Sequence, residues 1–246
     1  MLVTTEIKKK AAGNKGKKKR VNSVLNKLLS FDQSIKDDYE NIGGQLNIVG
    51  VDEVGIGCLA GPVVAAATIL PVIIPKSKLA KELSKLNDSK KVNPEIRKEL
   101  GYFIREHAHF AIASASVEEI DELNILQAGL LAMKRAVADL ITKLTEAENI
   151  IVLVDGNKKI PQMSYKQMCL IQGDSRSASI AAASVIAKVF RDQVMEELSL
   201  SHPHYLWHRN KGYGSSRHRQ AILAHGLSVH HRRSFTGNLV IEIEED

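Results

Sequence analysis

Apolar positions along this chain fall into two periods. Continuous apolar or small-residue runs at Leu46 to Val51, Pro62 to Leu70, Phe110 to Val117, Ile150 to Val154 and Met168 to Ile171 predict five buried strands. Proline is tolerated at the first position of the second run. Between the runs the period lengthens to that of a helix. Val24, Leu25, Leu28 and Leu29 share one face of a short helix within residues 21–40, which Gly43-Gly44 ends. Asn93 and Pro94 read as the N-cap and first residue of a helix reaching about His107. Leu123, Leu126, Leu130, Met133, Val137, Leu140 and Leu144 recur near 3.6 residues and predict one long helix over Asp121 to Leu144. Further helices are expected at about Ser177 to Leu198 and Ser215 to His225. Strands mixed with covering helices predict a single α/β domain, and no internal repeat is evident.

The 246 residues are enough for one sizeable core. No apolar run approaches the ~20 residues of a membrane span, so no membrane contact is expected. The lysine-rich start has no apolar stretch behind it, which argues against a secretory signal. Two cysteines, Cys58 and Cys169, imply no disulfide framework and a reducing, cytoplasmic setting. Charge is unevenly spread. Residues 1–20 carry seven Lys, one Arg and one Glu, so the net +6 of the chain comes from this stretch, while the rest sums to about −1. The organisation expected is a disordered basic tail over 1–20, a helical extension over 21–45, a catalytic domain over 46–237 and an acidic tail over 238–246. The basic tail reads equally as a solubilising segment or as an electrostatic tether to nucleic acid, with an organelle-targeting segment as the third reading.

Four acids fall at the ends of predicted elements. Asp52 and Glu53 follow the first strand, Asp155 ends the fourth, and Asp174 precedes a small-residue helix beginning near Ser177. Carboxylates at the mouths of buried strands are costly unless paired, solvated or metal-bound. Converging ones would repel each other, and a divalent ion that prefers hard oxygen donors, Mg²⁺ or Mn²⁺, would relieve the repulsion. Adjacent residues of a regular strand point to opposite faces, so Asp52 and Glu53 reach one site only if the strand ends and bends there. Two solvated acids at a strand end is the plainer reading of that pair taken alone; Asp155 and Asp174 shift the balance.

Other segments carry chemistry less specifically. Gly55-Ile56-Gly57 is followed by Pro62 and a β-branched run rather than a helix, so it is read as a loop whose backbone approaches a ligand, not as a dinucleotide fingerprint. Asp88-Ser89-Lys90-Lys91 is either a solvated cluster or a set of phosphate contacts through Ser89, Lys90 and Lys91. Seven of the nine histidines lie between 202 and 231, interleaved with Tyr205, Trp207, Tyr213 and cations. Such a segment suits stacking on a polynucleotide. A zinc site is conceivable there too, though neither cysteine is near in sequence, and Tyr205 and Trp207 read better as core.

With these segments together, Val51-Asp52-Glu53-Val54-Gly55, Leu59-Ala60-Gly61-Pro62-Val63-Val64, Asp88-Ser89-Lys90-Lys91, Ile120-Asp121, Val154-Asp155-Gly156, Gly173-Asp174, Ser179 to Ser184 with Ala187-Lys188-Val189, Asn210-Lys211-Gly212-Tyr213-Gly214 and His231 to Phe235, the chain resembles the ribonuclease HII (type 2 ribonuclease H) family over residues 47–235. The resemblance implies an RNase H-like fold: a central five-stranded mixed sheet flanked by helices, with a C-terminal helical part. It implies that Asp52, Glu53, Asp155 and Asp174 are the metal ligands; two Mn²⁺ or Mg²⁺ ions are expected during catalysis, and Asp52, placed where the first strand ends, is read as the ligand they share. The substrates implied are RNA–DNA hybrids and duplex DNA with an embedded ribonucleotide, cut on its 5′ side to leave 3′-hydroxyl and 5′-phosphate ends. Such an enzyme serves ribonucleotide removal in replication and repair, and a monomer is expected. Gly55, Gly57 and Tyr213 match the residues with which the family senses the RNA-to-DNA junction, and Lys188 joins the candidates for phosphate contact. Two departures stand out. The family pattern has arginine where this chain has Ile56, and usually proline where it has Cys58. The residues ahead of the first strand are too few for the extra substrate-binding domain of type 3 relatives. Another metal nuclease of the same fold and a non-catalytic nucleic-acid binder remain the alternatives.

Overall fold

The computed structural model describes residues 24–39, 46–74, 76–86, 93–144 and 149–237. Both tails lie outside these residues, as does the 88–91 loop with Ser89, Lys90 and Lys91. Strands β1 (Asn47–Val54), β2 (Val63–Ile69), β3 (His109–Ala115), β4 (Ile150–Asp155) and β5 (Lys166–Leu170) form one sheet in the order β3-β2-β1-β4-β5. β1 is antiparallel to β2 and parallel to β4; β2–β3 is antiparallel and β4–β5 parallel. The helices are α1 (24–39), α2 (Lys78–Leu83), α3 (Pro94–His107), α4 (Val117–Leu123), α5 (Ile125–Thr142), α6 (Ala178–Ser201), α7 (Trp207–Asn210) and α8 (Ser216–His225), before a last short turn over 233–237. The expected mixed five-stranded sheet with flanking helices is the observed architecture. No helix among the described residues is long and apolar enough to cross a membrane.

Both faces of the sheet are covered, which is why every residue of β2 is buried. On one side Val49, Val51, Val152 and Val154 pack against Ala128, Ala132, Met133, Ala136 and Leu140 of α5. On the other, Val64 and Ala66 meet Leu100 and Ile104 of α3, Leu25 and Leu28 of α1, and the alanine-rich start of α6. Small residues let α6 sit almost on the strand. A Cβ on Gly50 would come within 2.2 Å of the Ser179 backbone, and Thr68 Oγ1 donates to Ser179 O at 2.8 Å.

The single long helix expected over Asp121 to Leu144 is two. Asn124 adopts φ 71° and breaks it. Its side chain then accepts from Leu126 N and Gln127 N and caps α5. The apolar period continues across the break because α4 also buries Ile120. Ser116 and Glu119 form a capping box that ends β3 at Ala115 rather than Val117.

Helix α1 is fastened by a carboxylate. Asp32 Oδ2 accepts from Ser179 N and Ser179 Oγ, both at 2.9 Å, and so caps α6 from another element. Burial holds the Asp32 carboxyl above its usual range, opposed by hydrogen bonds from Ser177 and Ser179. Desolvation therefore offsets part of the capping and dipole gain. Asp32→Ala should lower stability by about 1 kcal/mol in urea unfolding at neutral pH. An unchanged midpoint would show that Leu25 and Leu28 dock α1 without help.

Candidate active site

β1 carries the two adjacent acids. Its pairing with β2 stays regular through Asp52↔Ala66, Glu53↔Ala65 and Val54↔Val64. The strand thus runs three residues past its expected end, and both acids lie within it rather than at a bend. Their side chains leave on opposite faces. Asp52 points with Gly50 toward α6 and is 6% exposed. Glu53 points with Val51 toward α5, where a Cβ on Gly129 would lie 3.8 Å from its Cγ. Asp155 ends β4. The parallel register reaches Val51↔Val154, so one further step sets Asp155 beside Asp52 on the α6 face. Asp174 comes from the single 3-10 turn Gly173–Ser175 that leads into α6. Gly173 N donates to Asp155 Oδ1 at 2.6 Å. A side chain at Gly173 would strike Ile180 and that carboxylate, at 2.6 and 3.0 Å.

These placements converge on Asp52. Burial, then the charges of Asp155 and Glu53, hold its carboxyl well above the ordinary carboxylate range; the Ser184 hydroxyl on α6 works against them, and Asp174 adds to the rise. Glu53 N donates to Asp52 Oδ1 at 2.8 Å. No cation is among these influences on Asp52. An excess of mutually repelling oxygen donors is the chemistry that a hard divalent ion relieves, so the donor set fits Mg²⁺ or Mn²⁺. Among the described residues no three His, Cys, Asp or Glu side chains already close on one ion-sized point. Glu53, leaving the strand toward α5, must bring its carboxylate around the strand end to join the others.

Above the acids lies a loop built for close approach. Gly55 has φ +99°, and a Cβ there would meet Arg191 Nε at 2.2 Å; only glycine fits. Gly57 is open on its Cβ side. Ile56 lies over α5, its Cδ1 3.3 Å from where a Gly129 Cβ would be, so position 56 faces the Glu53 side of the site. Two buried guanidiniums hold the loop from beneath. Arg191 donates to Pro62 O, Lys211 O and Ala60 O at 2.9, 2.9 and 3.1 Å. Arg232 donates to Gly61 O and Ile56 O, both at 3.0 Å. Tyr213 is 43% exposed and stands in a β-bridge opposite Cys58. Lys188 Nζ lies 5.9 Å from its ring centroid and pairs with Asp192 at 2.6 Å.

The structure therefore brings Asp52, Asp155 and Asp174 to one face, sets Glu53 at its edge, and lays Gly55, Gly57, Lys188 and Tyr213 alongside. Ser184, Arg191 and Arg232 do their work through partners far away in sequence, and their residue types alone gave no role. The histidine-rich segment is mainly framework. Tyr205 and Trp207 are buried and stacked, with centroids 5.0 Å apart. Trp207 Nε1 donates to His218 Nε2 at 3.0 Å, and His218 Nδ1 meets Tyr213 O at 3.0 Å. His231 Nδ1 accepts from Ser228 N at 2.9 Å, which leaves its Nε2 to donate to His218 Nε2 at 3.1 Å.

Residues 49–238 match the family model described as Ribonuclease HII. A ribonuclease HII of Wolbachia pipientis subsp. Culex pipiens is 48% identical over 188 residues, covering 76% of this chain and 89% of the relative. That of Fusobacterium nucleatum is 45% identical over 201 residues, covering 81% and 90%. Among solved structures, a complex of PCNA and RNase HII from Archaeoglobus fulgidus aligns with a TM-score of 0.60 at 25% identity, covering 78% of this chain and 96% of that one. Bst-RNase HIII in complex with Mn²⁺ aligns with a TM-score of 0.65 at 22% identity, covering 82% and 72%, and supports the fold. Sheet order, the placement of the acids and these matches agree: the chain belongs to the ribonuclease HII family of metal-dependent endonucleases.

Proposed function

We propose that this protein hydrolyses the RNA strand of RNA–DNA hybrids and cuts on the 5′ side of a ribonucleotide embedded in duplex DNA, leaving 3′-hydroxyl and 5′-phosphate ends. The observation that carries the reading is the buried Asp52 carboxyl, destabilised in its charged form by Asp155, Glu53 and Asp174. Asp52, Glu53, Asp155 and Asp174 would hold two Mg²⁺ or Mn²⁺ ions. When bound, such ions supply Lewis acidity at the scissile phosphate and make a bound water acidic enough to act as nucleophile. The chain's own groups prepare the site. The Ser184 hydroxyl and Glu53 N orient Asp52, and Gly173 N fixes Asp155. These contacts hold the Asp52 and Asp155 carboxylates in place before substrate arrives, which lowers the reorganisation left to the reaction step. The glycine loop lets the substrate backbone approach main-chain N–H groups, and the exposed Tyr213 ring offers a surface on which a sugar can stack and its 2′-hydroxyl be sensed. Lys188 adds positive charge beside that ring, and Ser89, Lys90 and Lys91 would extend the phosphate contacts.

The test is cleavage of three labelled duplexes in Mg²⁺ or Mn²⁺: all DNA, one embedded ribonucleotide, and uniform hybrid. Both ribonucleotide-containing duplexes should be cut and the all-DNA duplex left intact, with activity lost in EDTA. Equal cutting of all-DNA duplex would overturn the reading in favour of a nuclease indifferent to the 2′-hydroxyl.

A further inference from the structure

Tyr213 is held at two levels. Its main chain is pinned many times over: Tyr213 N donates to Asn210 O at 2.9 Å, Leu59 N to Gly212 O at 2.8 Å, and His218 Nδ1 meets Tyr213 O. Gly212 has φ +83° and passes so close that a Cβ would sit 2.4 Å from Ala60 O. None of these contacts sets the direction of the phenol. Beside it stands Cys58, which is fully buried. The β-bridge places Cys58 directly across from Tyr213, on the same side of the ribbon. The thiol donates to Lys211 O at 3.7 Å and faces the tyrosine side chain across the bridge. The other groups around the phenol, Arg191, Asp192 and Lys188, act on it as charges or as a cation beside the ring.

We infer that Cys58 is a positioning residue for Tyr213 and thereby sets how strongly the enzyme prefers a lone ribonucleotide over a uniform hybrid. The inference rests on the proposed function, in which Tyr213 touches the sugar. The Cys58 contact fixes an exposed aromatic ring through its polar end. A ring so held meets one sugar in one orientation. Freed, it still stacks but samples several orientations, and a substrate with a single ribose to offer suffers most. A uniform hybrid has a ribose at every register along its RNA strand and is less affected.

The experiment measures kcat and KM on the single-ribonucleotide duplex and on uniform hybrid for Cys58→Ala, Cys58→Ser, Tyr213→Phe and the pair Cys58→Ala with Tyr213→Phe. Cys58→Ala should lower kcat/KM on the single ribonucleotide about fivefold, the worth of one neutral hydrogen bond, mainly through KM. The loss on uniform hybrid should stay below about twofold. Cys58→Ser, which keeps a donor and acceptor, should restore the preference. In the Tyr213→Phe background, Cys58→Ala should add nothing. Equal losses on both substrates, or the same loss with and without the tyrosine hydroxyl, would show that Cys58 only packs the loop and would overturn the inference. Alkaline tyrosinate absorbance reads the contact without catalysis: one transition, identified by its absence in Tyr213→Phe, should shift to lower pH in Cys58→Ala. No shift overturns the contact. If Tyr213→Phe leaves both substrates unaffected, the specificity role falls even where the shift is seen. Failure of wild type to cut either substrate would instead reject the functional reading, and the absorbance shift alone would then decide the contact.

Discussion

Asp52→Asn should lose three orders of magnitude or more of cleavage rate, bind hybrid nearly as wild type does, and unfold at a higher temperature than the parent in EDTA. The rate loss corresponds to about 4 kcal/mol of transition-state stabilisation, the scale expected if a carboxylate that would hold the catalytic ions loses its charge. The gain in stability has a definite sign. The folded protein holds the Asp52 carboxyl well above its usual range, so between the unfolded and folded values the folded state binds more protons. Stability then falls as pH rises from about 4 through the folded value, and the full penalty applies above it. Asparagine carries no such penalty, so its advantage is present at neutral pH and fades as pH falls toward 4. Divalent ion should raise the melting temperature of wild type more than that of the variant. Single-turnover cleavage, anisotropy binding of hybrid, and melting in EDTA and in Mn²⁺ across pH check the three parts. Retained activity would remove Asp52 from the mechanism.

Acid should weaken the C-terminal lobe, and the sign is opposite. Burial, with the neighbouring His218 charge, lowers His231 to about 4, while His202 and His230 push the same way and the Ser228 contact opposes them. His218 and His230 are themselves lowered, chiefly by burial. The unfolded chain takes up these protons near pH 6.5, the folded one only near 4 for His231. Stability is therefore intact above about 6.5 and falls by up to 1.4 kcal/mol per unit below it, reaching roughly 3 kcal/mol for His231 alone. In wild type the Asp52 term partly masks this slope. Urea unfolding at pH 7, 6 and 5 in the Asp52→Asn background should show it openly, and His231→Gln should flatten it. A pH-independent midpoint would mean that the histidine pair does not stay neutral in the fold.

The layered α/β architecture was legible, and the four acids stood out as candidates, because each rests on a local signal. Buried strands read as apolar runs, and three of the acids end or follow such a run. What escaped depends on distant partners. Asn124 interrupts a helix whose apolar spacing is continuous, since α4 and α5 bury the same side. β1 continues through Asp52 and Glu53 because Ala65 and Ala66 of β2 remain to pair with them, and a sequence cannot show where a neighbour stops. Arg191 and Arg232 look like surface cations until the carbonyls of residues 56, 60, 61, 62 and 211 are seen around them. Cys58 stands out in the sequence only as a departure from a family pattern; its partner is 155 positions away.

The tether between Arg232 and the glycine loop has a consequence for biosynthesis. Its hydrogen bonds join residues 171 and 176 positions apart. At the usual pace of translation, roughly ten to thirty seconds separate the appearance of the loop from that of the arginine that fastens it. Only in the last part of that interval, once residue 174 has been made, can a nascent chain assemble sheet and carboxylates while the loop is still unfastened. Messages cut short between codons 201 and 232, after α6 is complete, would yield the same unfastened product.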